Sequence, residues 1–547
     1  MAESRAYDDK EEPAMPIHTN TPGSLPVVTK ETDQRPNDSS AISQNGSFKF
    51  ERLPASLPSD IEPQSLGQLG ILDLADELLI NIFGHAKDSA DIRNIRLTCR
   101  RFCSTSSHLL LDCLDLCLTA ASLARAQEIS CHPIVSKGIR VLHISLKSRR
   151  NLRDTTRFMY LAIQDLRGNI NSVLRNPQSA LENGNFASSA EFQPIFVERQ
   201  RLLGSWCQYT ETRKCSTHQQ RLDVEVLRRG YEKYRMTYEW QRRTIKDGTY
   251  TQAIAAAVGR ISRVTKLLFT NKFRYREGSP GFHANLWRHH TSASDVLDER
   301  MMLSIGASLG PEVKPTELTA QVPLALHAAG FPAAEVEVQY VTQSGIWPNS
   351  TWIGDQAQLH GLKAAAESLK VFTFEIRMWC SSPSEHISSA STYLRAVLEA
   401  ANLEVLTLSV PSTFDSDEHI GSLLASLRWP HLREINLAFI SFHLSELKRF
   451  VEGFRPGIFL NLKRVELRSG SWAEGLDVLR TKANPESQVG SLSGAECNSM
   501  ASDQLQRILD GGQASLASQY VQGVPIRNPF LVTQDETIDE ETNTDTI

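Results

Sequence analysis

Cysteine and histidine are the residues of this chain whose types and spacing could do chemistry. Cys99 and Cys103 lie four residues apart, as do Cys113 and Cys117, and His108 lies between the two pairs. Thiolates and imidazoles at such spacings can hold a tetrahedral zinc ion. The alternative is that Cys99 is a small buried apolar residue, and we favour it because Cys99 continues an apolar helical pattern. We therefore predict no metal site.

No arrangement of nucleophile, base and oxyanion donor stands out elsewhere. Arg288, His289 and His290 follow one another beside Trp287, with His283 nearby. Adjacent residues of a helix do not face the same way, so the two histidines are poorly placed to share a ligand. The chain also lacks the G-x-S-x-G, P-loop and H-E-x-x-H motifs. These observations predict a protein that is not an enzyme and needs no cofactor.

Composition places outer limits on the function. A chain of 547 residues is long enough for two or three domains, and its 41% hydrophobic and 22% charged residues are typical of a globular protein. Its formal net charge is −5, which does not favour nucleic-acid binding. The charged start and the lack of a long apolar run predict neither a signal peptide nor a membrane span. The odd number of scattered cysteines favours a reducing compartment, so we expect the cytoplasm or the nucleus.

Two short amphipathic helices are predicted between Leu74 and Phe102. Asp76 lies where a helix N-cap would help, and the apolar residues that follow recur at helical spacing. The first apolar face consists of Leu78, Leu79, Ile82 and Phe83, and the second of Ile92, Ile95, Cys99 and Phe102. A unit this small buries too little apolar surface to be stable alone. We therefore expect it to pack against a neighbouring domain.

This stretch resembles an F-box, the helical module that docks substrate receptors on a Skp-type adaptor of a cullin-RING ubiquitin ligase. The matching residues are Leu74, Glu77, Leu78, Leu79, Ile82, Phe83, Ile95, Cys99, Arg100 and Phe102. Ala75 and Thr98 depart from the family pattern, which usually has Pro and Val there. The resemblance implies an adaptor-binding set of Leu74, Glu77, Leu78, Leu79, Ile82, Phe83, Ile95, Leu97, Cys99 and Phe102.

The function implied by the resemblance is substrate recognition within a Skp–cullin–F-box ligase, with an unknown protein substrate and no nucleic-acid or membrane partner. Two alternatives stay open. The chain could be an F-box scaffold that acts outside any ligase, or an enzyme built on an α/β domain in which the helical hairpin is a coincidence.

An internal repeat follows in the C-terminal half. The pattern L-x-x-L-x-L recurs about every thirty residues, with amphipathic helical stretches between the copies. Its members are Leu403, Leu406, Leu408, Leu432, Ile435, Leu437, Leu462, Val465 and Leu467. The pattern predicts an irregular solenoid that resembles leucine-rich repeats, in which stacked units bury a shared core. The Asn or Cys ladder of regular repeats is missing at Pro411, Ile440 and Gly470, and an ordinary α/β domain with a parallel sheet is the alternative.

Two charged or aromatic groups have both a functional and a structural interpretation. Tyr231, Tyr234 and Tyr238 recur at helical spacing among arginines, and we interpret them as core residues rather than as a nucleic-acid surface. Arg433, Lys463 and Arg464 are either a phosphate site or solvated charges.

The predicted fold class is α/β, with a helical F-box, a helix–strand solenoid and disordered termini. Its predicted segments are a disordered leader (1–68), the F-box module (69–120), a helical and early repeat region (121–270), an irregular insertion (271–360), the repeat region (361–475) and a mostly disordered acidic tail (476–547).

Overall fold

The computed structural model describes residues 70–86, 89–149, 151–152, 154–175, 189–261, 263–271, 315–342, 356–378, 388–399, 402–410, 420–500, 502–509 and 515–531. The predicted leader, His283 and the Arg288–His290 cluster lie outside these residues. Within them, no helix combines the length and the apolar character that crossing a membrane requires.

Three short helices form the N-terminal module: α1 (Asp76–Gly84), α2 (Ser89–Thr98) and α3 (Arg100–Ser106). The predicted cap at Asp76 is wrong by one residue, because Ala75 is the N-cap of α1 and Asp76 lies in the first turn. The negative charge of Asp76 still interacts favourably with the positive, N-terminal end of the helix dipole. Cys99 is the N-cap of α3, and its Sγ accepts a hydrogen bond from the backbone N–H of Phe102 at 3.4 Å.

Nine parallel strands of the described chain form one sheet, almost in sequence order: β1 (Cys113–Leu116), β2 (Val141–Ser145), β3 (Lys266–Thr270), β4 (Glu335–Thr342), β5 (Val371–Met378), β6 (Val405–Ser409), β7 (Glu434–Ala438), β9 (Phe459–Lys463) and β11 (Gln488–Gly490). A smaller parallel sheet is formed by β8 (Ser441–His443), β10 (Glu466–Ser469) and β12 (Ser493–Gly494). The prediction of an α/β fold with parallel strands is therefore confirmed.

Helices connect the strands, and most of them contribute side chains to the core of the large sheet. In chain order they are α4 (Ala120–Cys131), α5 (Thr155–Arg175), α6 (Ser189–Thr212), α7 (His218–Lys246), α8 (Thr249–Val258), α9 (Leu318–Ala328), α10 (Gln356–Ala366), α11 (Ser388–Leu398), α12 (Ile420–Ser426), α13 (Leu444–Glu452), α14 (Trp472–Arg480), α15 (Ser502–Leu509) and α16 (Leu516–Val521). Each of α8, α9 and α10 contacts the helix of the preceding strand connection. This arrangement buries the apolar side chains of the strands against one layer of helices.

Two ladders of apolar side chains run through the sheet from strand to strand. In the central strands, Leu406 is aligned with Ile435 and then Leu460, and Leu408 with Leu437 and then Leu462. Each of these side chains is at most 2% exposed. Burial of a large aliphatic side chain contributes roughly 1.5–3 kcal/mol, so the ladders are a major source of stability.

The alignment of the third repeat copy differs from the predicted one. The sequence aligns Leu462 with Leu403 and Leu432, whereas the structure aligns Leu462 with Leu437. The nine predicted repeat residues are all buried, but Val465 lies at the turn into β10 and Leu467 lies on β10, in the small sheet. In the unit of β7 the apolar spacing occurs twice, because Leu437 is followed by Ile440 and Phe442. In the unit of β9 only the second spacing is complete, because Gly457 stands where the first would need an apolar residue. The sequence pattern therefore matched the third copy in the wrong register.

The second spacing arises at a corner of the backbone, where one residue adopts the left-handed conformation with a positive φ angle. Phe439, Arg464 and Ser491 follow β7, β9 and β11 and have φ angles of 60°, 52° and 55°. This backbone conformation costs an ordinary residue about 1 kcal/mol or more. The residue after each corner is an aliphatic one and is buried, at Ile440, Val465 and Leu492. The corner therefore turns the chain from the large sheet into the small one.

The range predicted as an irregular insertion contains a regular strand. Within 271–360, α9 and β4 are described, and β4 lies between β3 and β5. Its buried residues Val336 and Val338 continue the two ladders. The L-x-x-L-x-L search missed this copy because Ala333 and the two valines occupy the leucine positions.

The three long helices α5, α6 and α7 lie between β2 and β3 and have their own core. Phe158, Trp206, Leu227 and Tyr234 are buried in it. Tyr238 is also buried, although it belongs to the core of the sheet region. Burial of Tyr234 and Tyr238 supports the interpretation of the tyrosine stripe as core.

The structure corrects the prediction of a mostly disordered tail for the residues up to Leu531. Helix α14, the edge strand β11 and helices α15 and α16 all extend beyond residue 476. The sequence pattern misses these elements because they are short and the segments around them are rich in serine and glycine. The remaining acidic residues, 532–547, lie outside the described part of the chain.

Serine hydroxyls protect the edge strand β11. The Oγ of Ser518 accepts from the backbone N–H of Val489 at 2.9 Å and lies 3.0 Å from its carbonyl oxygen, which also accepts from Ser515 Oγ at 3.2 Å. Ser518 is 0% exposed. An unpaired strand edge is a template for association with other chains, so these hydroxyls replace a missing neighbouring strand.

Replacing Ser518 by alanine is expected to lower the free energy of unfolding by about 2 kcal/mol, because the buried N–H of Val489 loses its acceptor. Urea unfolding followed by circular dichroism measures this loss, and size-exclusion chromatography measures association through the exposed edge. The control is Ser499→Ala, which removes an exposed hydroxyl that bonds only to the carbonyl oxygen of Glu496. Equal stability of Ser518→Ala and Ser499→Ala would contradict the capping role.

Candidate protein-binding surfaces

The N-terminal module separates the predicted adaptor-binding residues into an interior set and an exposed set. Leu79, Phe83 and Phe102 form its core, and the rings of Phe83 and Phe102 meet edge to face at 5.0 Å. Leu74, Ile95 and Cys99 pack against this core. These six residues therefore hold the three helices together rather than present a surface to a partner.

The exposed set is unusually apolar. Leu78, Ile82 and Leu97 are 52%, 46% and 85% exposed, and Glu77 is exposed beside them. Leu78 and Ile82 lie one turn apart on α1, so their side chains are neighbours on its surface. Large apolar side chains concentrated in so small a unit mark a site of protein contact rather than a solvated face.

Sequence reasoning missed further exposed apolar residues of the module. Ile71, Leu72 and Ile80 are 50%, 56% and 38% exposed. Ile71 and Leu72 belong to a short 3-10 turn before α1. Ile80 lies two residues from both Leu78 and Ile82 and therefore projects from another side of α1. Nothing in the sequence indicated that residues 71 and 72 are held in place.

Arg101 holds this turn against α3. Its guanidinium donates hydrogen bonds to the carbonyl oxygens of Leu72 and Leu74, and its Nε donates to Asp76 Oδ1 at 2.9 Å. The ion pair is partly exposed, so its charge alone contributes little. The two backbone contacts matter more, because they fix the chain that carries Ile71 and Leu72.

A second candidate surface is the face of the large sheet opposite the helices, which we call the open face. Its central row consists of Thr373, Thr407, Asn436, Asn461 and Gln488, which the strand register aligns with one another. All five are half-buried. Hydrogen bonds connect three of them: Asn461 Nδ2 donates to Asn436 Oδ1 at 2.9 Å, and Asn436 Nδ2 donates to Thr407 Oγ1 at 3.2 Å.

Charged residues beside this row are largely paired with one another. Glu404 lies 3.2 Å from Lys370 Nζ and 3.0 Å from Arg433. The guanidinium of Arg464 lies 5.1 Å from the centre of the Phe439 ring. Lys463 is exposed on β9. The three cations, for which a phosphate site was one of two alternatives, do not converge: Arg433 pairs with a carboxylate, Arg464 stacks on an aromatic ring and Lys463 is exposed.

At the opposite end of the open face, His143 and Asp115 form a close pair. The Nδ1 of His143 lies 2.5 Å from Asp115 Oδ1, and its Nε2 is buried and makes no hydrogen bond within the described residues. The strand register places Asp115 on β1 and Leu268 on β3 directly beside His143. Neither aligned residue is a nucleophile, so the histidine–aspartate pair by itself is not an argument for catalysis.

The cysteines and the histidine of the zinc hypothesis are dispersed among three elements. Cys99 caps α3, Cys103 lies within it, and Cys113 begins β1. Burial and the charge of Arg263 hold the pKa of His108 below its usual value. Among the described residues, no three His, Cys, Asp or Glu side chains are grouped so that they could hold a metal ion.

Comparison with known proteins does not assign this chain to a family. No protein-family model matches the sequence, and no curated protein sequence matches it. Within the described ranges, the exposed apolar residues of the N-terminal module and the open face of the sheet have a geometry suited to protein binding.

Proposed function

We propose that the chain is an F-box protein that docks on a Skp-type adaptor and presents a protein substrate to a cullin-RING ubiquitin ligase. The observation that carries this proposal is the exposure of Leu78 and Ile82 at motif positions, and of Leu97 from the predicted adaptor-binding set, in a module with a formed core of Leu79, Phe83 and Phe102. A hairpin that served only to complete a larger domain would bury both sets.

We also propose that the helix–strand units form an irregular solenoid similar to leucine-rich repeats. The sequential order of the parallel strands and the single layer of helices support this architecture. In such a solenoid, each unit packs on its neighbours and leaves one long face of the sheet for a ligand. The open face is accordingly the proposed substrate surface.

The mechanism is proximity. A receptor that holds a substrate and an adaptor at the same time raises the effective concentration of substrate lysines near a charged ubiquitin-conjugating enzyme. No residue of this chain then performs a chemical step. A scaffold that never recruits a cullin would have the same adaptor contact, so a cullin added to the purified adaptor complex distinguishes the two functions.

The adaptor contact is tested by a pull-down with a purified Skp-type adaptor. A Leu78→Asp, Ile82→Asp variant is expected to lose binding by at least about a hundredfold, because it buries two carboxylates in an apolar interface. Both substituted side chains are exposed, so circular dichroism should show an intact fold.

The matched control is Leu174→Asp, Met236→Asp. These residues are 61% and 71% exposed on the helices α5 and α7, and their substitution should leave adaptor binding unchanged. An adaptor that fails to bind the wild-type chain would overturn the proposal, and an α/β enzyme would then be the function to test by activity measurements.

A further inference from the structure

The short turn before α1 has a defined conformation although none of its side chains is buried. Ile71, Leu72 and Asp73 form this 3-10 turn, and all three are exposed. Ordering the backbone of a residue costs conformational entropy, and burial of apolar side chains usually offsets that cost. Because the turn buries no apolar side chain, it must be held by other contacts.

Hydrogen bonds from one side chain of α3 hold the turn. The guanidinium of Arg101 donates to the carbonyl oxygens of Leu72 and Leu74, and its Nε donates to Asp76 Oδ1 at 2.9 Å. The planar guanidinium carries five N–H donors in a fixed geometry, so it can hold several acceptors at once. Arg101 therefore fixes the backbone that carries two exposed apolar side chains, those of Ile71 and Leu72.

These contacts lie on the side of α1 that carries Ile80. Asp76 and Ile80 are four residues apart on α1, so the guanidinium bound to Asp76 lies on their shared side. Leu78 and Ile82 are also four residues apart, and each is about 200° around the helix from Ile80. We call Leu78 and Ile82 the first apolar side of α1.

The outer half of α1 consequently has two apolar sides with a polar strip between them. The second apolar side consists of Ile80 and the two apolar residues of the turn, Ile71 and Leu72, which are 38%, 50% and 56% exposed. Glu77 and Asn81 are exposed and lie between the two sides. A helix with its side chains is only about 10–12 Å wide, so one groove of a partner can contact both sides.

We propose that the Skp-type adaptor encloses α1 from both sides, and that Arg101 is the positioning residue of the second apolar side. This inference rests on the proposed function, because it takes the adaptor as the partner. It adds three contact residues, of which Ile71 and Leu72 precede the motif. Since Arg101 holds the turn before binding, the adaptor does not have to order it, and such pre-organisation increases affinity.

The first test measures adaptor binding by isothermal titration calorimetry on the full-length chain. Ile71→Asp, Leu72→Asp is expected to weaken binding at least about tenfold, because it places two carboxylates in an apolar interface. Both residues lie outside the motif, so the first apolar side is unchanged. The control Leu174→Asp, Met236→Asp alters exposed residues of α5 and α7 and should bind like the wild type.

A double-mutant cycle tests the positioning role. Arg101→Met is expected to weaken adaptor binding about tenfold, because the turn must then be ordered during binding. In an Ile71→Ala, Leu72→Ala background, the same substitution should change the affinity less than about twofold, since the turn no longer supplies the contact. Arg101→Lys keeps the charge but loses the planar guanidinium, so it should resemble Arg101→Met.

Circular dichroism on every variant excludes unfolding as the cause of a lost contact. Wild-type affinity in Ile71→Asp, Leu72→Asp would overturn the enclosing contact, and an Arg101→Met effect of equal size in both backgrounds would overturn the positioning role. A wild-type chain that does not bind the adaptor would overturn the proposed function and this inference together. Binding that is lost in Leu78→Asp, Ile82→Asp but kept in Ile71→Asp, Leu72→Asp would overturn this inference alone.

Discussion

Replacing Gly138 by alanine is expected to lower the free energy of unfolding by about 3 kcal/mol, the upper part of the usual range for overpacking. Gly138 ends a short 3-10 turn that packs on the turn after the N-terminal module. A Cβ atom at this position would lie 1.6 Å from the carbonyl oxygen of His108 and 3.1 Å from that of Leu111. Both are backbone atoms, so a side-chain rotation cannot relieve the clash.

Urea unfolding of the full chain, followed by circular dichroism, measures this loss. Gly204→Ala is the matched control, because Gly204 lies within α6 and a Cβ there meets no other atom within 4 Å. Alanine is the better helix former by up to about 1 kcal/mol, so the control should gain stability. If Gly138→Ala and Gly204→Ala were equally stable, the close approach at Gly138 would have to be wrong.

Replacing Arg201 by methionine is expected to destabilise the chain by about 3 kcal/mol. Asp223 on α7 is 2% exposed and accepts from the Arg201 guanidinium, from Ser205 Oγ at 2.6 Å and from Gln219 Nε2 at 3.0 Å. Loss of the guanidinium leaves a buried carboxylate without its counter-charge, and that is costlier than removing both charges together.

A double variant checks this cause. Arg201→Met, Asp223→Leu should be more stable than Arg201→Met alone by at least about 1 kcal/mol, because no unpaired charge remains buried. The control is Arg228→Met, since Arg228 pairs with Glu225 and Glu232 on the exposed side of α7 and such pairs contribute at most about 1 kcal/mol. A double variant less stable than Arg201→Met would contradict the explanation by buried charge.

The two largest expected effects therefore arise at positions that the sequence did not single out. Gly138 is one of 30 glycines in the chain, and Asp223 is one of several acids in a charged helix. Their importance depends on the atoms around them, which come from residues distant in the chain. By contrast, Tyr234 and Tyr238 could be interpreted as core from their spacing alone, because helical periodicity is a local property.

The sequence by itself determined the α/β class, the parallel strands and the burial of the repeat leucines, since each of these depends on local periodicity and on the connections between neighbouring elements. It also indicated a motif surface around α1. Only the tertiary structure decided which motif residues are exposed, because the packing of α1 on α3 selects the buried side.

The tertiary structure also decided the register of the third repeat copy and the row of amides on the open face. Asn436 and Asn461 come from different units, and their contact depends on how β7 and β9 align. Successive side chains of a strand alternate between its faces, so a sequence predicts which residues share a face of one strand but not which residues meet across strands. Cross-strand contact requires the whole sheet to be assembled.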